Sequence, residues 1–424
     1  MRMLQWCAAT MAMCLVSTAP VAAQSPSEEE VALVKMSLTG DSLADGEKAL
    51  AAYLADHPKS DYVRFGLGFT QFFRSGEVLF GGLYRYGFLK EGMVLDEMLP
   101  IDVSSVPRND QPEAITYEAL NELIQSWLNS VAKAEATLAA ITDDQVTLPL
   151  AIGLVRLDID GDGKGDQSEA IWSLFNRFQG RFNASDEGAA EFTIAFDRAD
   201  VSWLRGYCNF LMALCEAALA HDRQMLFEHC SHIAFAKPKT PFPFLQAEYD
   251  YREYEWMEVT DWIAFIHLIR FEVKEPARML KAHGHLKMVI AMGKEMWTHI
   301  DAETDNDREW VPSTIQTSVI PEAKVTPAIR DTWLIFLNEA DLVLDGKRLV
   351  RFWRMPQWDN RMEGTGINLK RIFTEPRTFD LLLWIQGTAA SPYLEEGPLT
   401  NPGLWERMQE AFNGRVFRWG FWFN

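Results

Sequence analysis

The 424-residue chain contains few cysteines, and most of them are far apart. Two of the five lie within the first 14 residues, which leaves Cys208, Cys215 and Cys230. So sparse and odd a set excludes the disulfide framework of a small secreted domain. If Cys208 and Cys215 share a helix, about 10.5 Å of helix axis separates them, which is too far for a disulfide. We expect three buried small hydrophobes, with one bridge from Cys230 to Cys208 or Cys215 as the lesser alternative.

Basic residues are also scarce. The chain has 40 Lys and Arg against 60 Asp and Glu, which gives a net charge of −20. Such a chain repels nucleic acid and anionic membranes and attracts cations and basic partners, so we expect no nucleic-acid partner. No stretch is an uncharged apolar run of the roughly 20 residues that a spanning helix needs, so we expect no membrane span.

Residues 1–23 have the pattern of a secretory signal peptide. Arg2 provides the positive start, Cys7–Val16 is an apolar run, and Val21–Ala23 is a small-residue cleavage motif. This pattern predicts an exported protein, periplasmic or extracellular, that is soluble after the signal peptide is removed.

Hydrophobic periodicity predicts helices along most of the chain, so the expected fold class is mainly α. The length exceeds one typical core, which predicts a helical, two-domain or bilobal fold. A proline-rich break at Lys237–Pro243 is the expected boundary between an N-terminal helical domain, 24–236, and a C-terminal one, 237–424. Minor β structure is expected near 146–157, where apolar residues alternate, and in the C-terminal tail.

Four helical segments are predicted before residue 221. They are a hairpin over Asp45–Tyr86, a long helix over Thr116–Ile141, a helix over Ser168–Phe178, and a helix from Val201 that is capped by Asp200. The stretch Trp262–Phe271 is apolar nearly all round. It is therefore expected to be buried, with His267 as a hydrogen-bonded core residue.

The stretch Asp158–Glu169 has the most specific chemical pattern in the chain. It reads Asp-Ile-Asp-Gly-Asp-Gly-Lys-Gly-Asp-Gln-Ser-Glu, with acids at positions one, three, five, nine and twelve and glycine at position six. Calcium takes about six to eight oxygen ligands, and a loop of this spacing supplies them. The predicted ligands are the side chains of Asp158, Asp160, Asp162 and Asp166, the carbonyl of Lys164 and both carboxylate oxygens of Glu169.

This loop resembles the calcium loop of EF-hand proteins and, more loosely, that of dockerin-type modules. The resemblance covers the loop and the segment after it, and the rest of the chain has no recognised family. Gly165 stands where an EF-hand usually has the Ile, Leu or Val that pairs with a second loop. Ala170 stands where a large hydrophobe is usual. These departures predict a lone structural loop in place of a paired sensor; the alternative is an Asp/Gly-rich turn that binds nothing.

A second acidic stretch, Asp301–Glu309, begins with the same alternation. It has Asn306 in place of the glycine and Pro312 in place of the last acid. We therefore expect a solvated acidic loop, with weak cation binding as the lesser alternative.

Three further stretches contain side chains that are common in functional sites. His229, Cys230 and His232, with His283 and His285, offer zinc or copper donors, but at no standard spacing. Glu248–Glu258 mixes acids with aromatics, as sugar-cleaving sites do. For the histidine stretches, ordinary polar or core histidines are the favoured interpretation. For Glu248–Glu258, it is a solvated aromatic face.

The sequence thus favours an exported calcium-binding protein with a structural loop and a binding or scaffolding role. Its partner, a protein or a polysaccharide, is not identified, and no catalytic residue is assigned. One alternative is a polysaccharide-acting hydrolase or lyase with structural calcium, which requires two carboxylates facing each other about 5–9.5 Å apart in a cleft. The other is a copper- or zinc-handling periplasmic protein, which requires the four histidines of the two clusters to converge.

Overall fold

The computed structural model of the protein describes residues 25–89, 106–172, 189–190, 192–246, 255–320, 324–354 and 362–423. Over these ranges the chain is mainly α-helical, as its periodicity predicts, and carries small antiparallel sheets. Three predictions fall wholly or partly outside the described residues: the signal peptide at 1–23, residues 173–178 of one predicted helix, and residues 248–254 of the acidic and aromatic stretch.

Four helices form the layer beside the candidate site. They are α1 (Glu28–Thr39), α2 (Leu43–Asp56), α3 (Asp61–Arg85) and α4 (Tyr117–Leu138). Each begins after a Ser or Thr whose side chain accepts a backbone N–H of the first turn, so a donor that the helix leaves unpaired finds an acceptor. The predicted hairpin and the predicted long helix are confirmed, with bounds that differ by a few residues.

The helix predicted from Val201 begins three residues earlier, as α5 (Arg198–Ala220). Asp197 is the capping residue, and its side chain accepts the backbone N–H groups of Ala199 and Asp200. Asp200 accepts the N–H of Asp197 in return, which makes a capping box. The prediction that Asp200 is the cap is therefore wrong. Asp197 and Asp200 are both suited to capping by residue type, so the sequence alone does not distinguish them.

The remaining helices lie mainly in the C-terminal half. They are α6 (Gln224–Ala234), α7 (Glu255–Leu268), α8 (Pro276–Ile300), α9 (Pro327–Leu344), α10 (Leu369–Thr374), α11 (Leu381–Gln386), α12 (Gly403–Ala411) and α13 (Val416–Phe423). None of the helices in the described ranges has both the length and the apolar character needed to cross a membrane.

The strands are short and pair antiparallel. They are β1 (Leu148–Ala151), β2 (Thr193–Phe196), β3 (His221–Asp222), β4 (Arg270–Val273), β5 (Val350–Arg351), β6 (Glu363–Ile367), β7 (Phe379–Asp380) and β8 (Leu394–Pro398). Their orders are β1-β2, β3-β4-β7 and β5-β6-β8. The pair β1-β2 places Leu148 opposite Phe196, both buried, and confirms the β structure expected near 146–157.

The C-terminal tail is a helix, so the strand predicted there is wrong. In α13 the side chains of Val416 and Phe423, seven residues apart, are both buried. The Phe423 ring packs edge-on against Trp297, with 5.3 Å between ring centroids. A run rich in aromatics suits a strand by propensity, but a seven-residue spacing also places two residues on one helical face, and packing against α8 selects the helix.

The apolar stretch Trp262–Phe271 is not buried. Within α7, the side chain of Trp262 is 47% exposed and that of Ile263 is 51% exposed. His267 is also exposed, so the prediction of a core histidine is wrong. All-round apolar character is typical of burial, but it does not reveal how many elements pack against a helix. In the described ranges, the main helical contacts of α7 are with α6 and α11.

Buried apolar side chains form two main clusters. The first contains residues from Val34 to Phe235, and the second contains Ala199 with residues from Ile290 to Phe423. Helix α5 packs along α8, and its Trp203 contacts both clusters. The predicted domain boundary at residue 237 stays a prediction. Helix α5, which precedes this boundary, contributes side chains to both clusters.

Candidate calcium site

The two ends of the loop Asp158–Glu169 are held together by backbone pairing. The N–H of Leu157 donates to the carbonyl of Glu169 at 3.2 Å. The N–H of Ile171 donates to the carbonyl of Val155 at 2.8 Å. Val155 and Leu157 are buried in the first hydrophobic cluster. The loop is therefore the connection of a small hairpin fixed to the core, which differs from the helix–loop–helix frame of an EF-hand.

Three of the predicted ligands lie close together. Asp158, Asp160 and Asp162 each offer a carboxylate oxygen, and these oxygens lie within 4.8 Å of one another. Two oxygens bound to one calcium ion are at most about 5 Å apart, because each lies about 2.3–2.6 Å from the metal. An oxygen-only donor set with this spacing fits a hard cation such as calcium.

Two glycines let the chain turn around the first acid. Gly161 and Gly163 have φ angles of +79° and +94°, which favour glycine because it lacks a Cβ. Their N–H groups donate to the two carboxylate oxygens of Asp158, at 2.9 and 3.1 Å. A carboxylate oxygen has two lone pairs, so each can still face a cation.

Glu169, the last predicted ligand, closes the loop from its buried side. Its side chain is only 5% exposed. One carboxylate oxygen accepts the N–H groups of Ile159 and Asp160 at 2.8 and 3.1 Å, and the other accepts that of Asp166 at 2.9 Å. Burial raises the pKa of this carboxyl. Glu169 lies against the loop but is not one of the three grouped acids.

The other two predicted ligands are at the exposed side of the loop. Asp166 caps the short 3-10 helix Gln167–Glu169, and its hydrogen bond from Ser168 lowers the pKa of the Asp166 carboxyl. Lys164 is exposed, and its N–H donates to Asp162 at 2.8 Å. The structure thus groups three of the six predicted ligands.

The helix predicted from Ser168 is wrong at its start. Ser168 lies in a 3-10 turn, and Ala170, just after that turn, forms an antiparallel bridge with Arg156.

Gly165 packs the loop against its own chain. Its N–H donates to the carbonyl of Asp41, in the turn between α1 and α2, at 2.8 Å. A Cβ at this position would lie 2.6 Å from the Cβ of Arg156. The position where EF-hands carry a residue for a partner loop is therefore occupied here by an intramolecular contact.

Glu77 was not predicted from the sequence, although it contacts the loop. This α3 side chain accepts the N–H of Asp158, the first predicted ligand, at 3.1 Å, and it pairs with Arg74 at 3.2 Å. Burial raises the pKa of Glu77 to about 7. No local sequence signal could have identified it, because 81 residues separate Glu77 from Asp158.

A second group of carboxylates joins α5 to the stretch Asp301–Glu309. Oxygens of Asp197, Glu303 and Glu309 lie within 4.8 Å of one another, and Glu309 is only 5% exposed. Burial raises the pKa of Glu303 to about 8 and that of Glu309 to about 7, with the nearby Asp197 adding to both. The prediction of a solvated acidic loop is wrong for these two residues, which lie against Asp197 at the start of α5 and are partly or fully buried.

The predicted histidine clusters do not converge. Among the described residues, no group with metal-like spacing contains a histidine or a cysteine. Three histidine rings have unrelated hydrogen-bond partners: His229 pairs with the Met225 carbonyl, His283 with the Leu344 carbonyl and His285 with the Asn209 side chain. All three described cysteines are free, so the lesser alternative of a disulfide is not found.

Comparison of the chain with protein-family models, curated proteins and solved structures finds no match. The class of this protein is therefore inferred from its own sequence and structure. It is a mainly α protein with an oxygen-lined candidate cation loop, fixed to the N-terminal hydrophobic cluster.

Proposed function

We propose that this is an exported calcium-binding protein in which one ion has a structural role, and that the protein serves in binding or scaffolding. The grouping of the Asp158, Asp160 and Asp162 carboxylates carries the proposal. The signal-peptide pattern at residues 1–23 supports export. The partner is a protein or a polysaccharide that the described residues do not identify.

The structural role follows from what the loop contacts. Its ends pair in the first hydrophobic cluster, Gly165 bonds to the turn between α1 and α2, and Glu77 of α3 holds Asp158. In the absence of a cation the clustered carboxylates repel one another, with the exposed Lys164 as the only basic residue in the loop. Calcium would offset that repulsion and hold residues 155–171 against the helices.

The proposed affinity is that of an extracellular module, a dissociation constant of about 10⁻⁴–10⁻³ M. Calcium is preferred over magnesium, because magnesium demands near-octahedral geometry whereas calcium accepts a larger and less regular shell of oxygens. A sensor function is not proposed, because Gly165 docks on the same chain and leaves no position for a partner loop.

Calorimetric titration of the chelator-treated protein with calcium chloride, and separately with magnesium chloride, tests the proposal. We expect one calcium ion per chain and weaker binding of magnesium. The triple variant Asp158→Asn, Asp160→Asn, Asp162→Asn should bind none. A matched triple variant of exposed aspartates, Asp45→Asn, Asp56→Asn, Asp110→Asn, carries the same charge change and should bind as the unmodified protein does.

Absence of calcium binding by the unmodified protein would refute the proposal. Equal binding by both triple variants would place the ion elsewhere and refute the assigned site.

The copper- or zinc-handling alternative loses its required geometry because the histidines do not converge. The acidic and aromatic stretch on which the polysaccharide-acting alternative depends lies partly outside the described residues, so that alternative stays a prediction.

A further inference from the structure

Glu77 of α3 contacts the candidate calcium loop from the helical layer. Its side chain is about nine-tenths buried, with 10% exposure. It accepts the backbone N–H of Asp158 at 3.1 Å, directly at the residue that begins the loop. This contact fixes the position of the Asp158 backbone, and through it the direction from which the Asp158 carboxylate enters the site.

A chain of ion pairs continues from Glu77 into three helices. Arg74 of α3 contacts Glu77 at 3.2 Å and Glu47 of α2 at 2.8 Å. The second oxygen of Glu47 contacts Lys133 of α4 at 2.6 Å. Glu47 and Glu77 are 15% and 10% exposed, so solvent screens their pairs with Arg74 less than it screens surface pairs. The loop and the helices α2, α3 and α4 therefore share one connected polar network.

Glu77 acts on the loop through the hydrogen bond that it accepts from the Asp158 N–H, which orients a predicted ligand. Groups that orient metal ligands in this way commonly change metal affinity about 10–100-fold when they are replaced.

We propose that Glu77 is the positioning residue of the calcium loop and that it couples calcium occupancy to helices α2, α3 and α4. This inference rests on the proposed function. Glu77 contacts the backbone of a predicted ligand and binds no ion itself. Calcium bound at Asp158 fixes the acceptor geometry of Glu77, and the Arg74 and Glu47 pairs extend that restraint to the neighbouring helices.

The test is the variant Glu77→Gln, which keeps the size of the side chain but has one oxygen acceptor for the two partners, the Asp158 N–H and Arg74, that the carboxylate holds with separate oxygens. Calorimetric titration with calcium chloride should show affinity about 10-fold weaker than that of the unmodified protein. The control is Glu113→Gln, another glutamate paired with an arginine, but exposed and outside the network. Its calcium affinity should be unchanged.

Hydrogen exchange separates coupling from a merely structural role. In the unmodified protein, calcium should slow amide exchange in the loop and in α2, α3 and α4. In Glu77→Gln, saturating calcium should still protect the loop, while the calcium-dependent protection of α2, α3 and α4 should be lost. A residue that only stabilises the fold would lower stability in chelator and leave the calcium affinity unchanged.

The double variant Glu77→Gln, Arg74→Gln serves if the single variant does not fold, because two amides can hydrogen bond to each other and no arginine is left without its carboxylate partner. It should show the same weakened affinity. If the unmodified protein binds calcium and these variants bind it within about 2-fold as tightly, below the loss expected for such a residue, the inference fails alone. If the unmodified protein binds no calcium, the inference fails together with the proposed function.

Discussion

Replacement of Glu169 by alanine is expected to abolish calcium binding and also to destabilise the calcium-free protein. The carboxylate is predicted to supply two ligand oxygens, and it accepts three backbone N–H groups of the loop. Alanine leaves those donors without a partner on the buried side of the loop. We expect the free energy of unfolding in chelator to fall by about 2–4 kcal/mol, since an unsatisfied buried donor costs about 1–3 kcal/mol. Chemical denaturation in chelator and calorimetric titration measure the two effects.

Glu169→Gln separates the two roles of this side chain. Glutamine retains an oxygen acceptor for the N–H groups of Ile159 and Asp160, so it should be less destabilising than alanine, but it lacks the charge that calcium requires. Glu113→Ala, at an exposed ion pair, is the control for loss of a glutamate and should change neither quantity by more than about 0.5 kcal/mol. Calcium binding by Glu169→Ala with normal affinity would contradict the assigned ligand set.

The free energy of unfolding is expected to fall as the pH rises from about 5 to about 8.5. Glu303 and Glu309 have pKa values near 8 and 7 in the folded protein, raised first by burial and then by Asp197. Their ordinary value is 4.5. The folded state therefore holds protons that the unfolded state releases. The stabilising contribution is complete below the ordinary pKa and is lost as the pH rises through 7 to 8.

Several acids contribute to this pH dependence. The buried Asp200 carboxyl also has a pKa well above its ordinary value, because of burial and the charge of Asp197. Asp305 and Asp307 add repulsion at Glu309. The Glu303 carboxyl, when protonated, donates to the Asp197 carboxylate, which makes the proton part of the contact between α5 and the acidic stretch.

Denaturation curves in chelator over this pH range measure the effect. We expect a loss of about 2–4 kcal/mol, after discounting the partly exposed Glu303 for solvent screening. The variant Glu303→Gln, Glu309→Gln should reduce the pH dependence without abolishing it, because Glu77 and Asp200 keep their raised pKa values. The variant Glu118→Gln, Glu122→Gln, at two exposed α4 positions, should retain it. Stability that rises with pH in the unmodified protein would contradict the raised pKa values.

Local signals in the sequence identify much of the fold. The helices α2, α3 and α4 could be predicted because each combines a capping Ser or Thr with a periodic apolar face. The three grouped aspartates could be predicted for a related reason, since their spacing within one short loop nearly fixes their geometry. In both cases the information lies within a few residues of the feature.

Features that depend on distant parts of the chain could not be predicted in this way. Glu77 acts on Asp158, and Asp197 acts on Glu303 and Glu309, across separations that only the folded chain closes. The helix α13 is selected by packing against Trp297. The exposure of Trp262 depends on how few elements cover α7. Composition and periodicity do not specify such tertiary contacts.

The central claim is that calcium bound at Asp158–Glu169 stabilises the fold, and thermal unfolding of the unmodified protein in calcium and in chelator tests it most directly. Calcium at a hundredfold excess over its dissociation constant should add about 2.7 kcal/mol to the free energy of unfolding and raise the unfolding midpoint. The Asp158, Asp160, Asp162 triple variant should show equal midpoints in both solutions. Equal midpoints for the unmodified protein, under conditions in which calorimetry detects no bound calcium, would contradict the account.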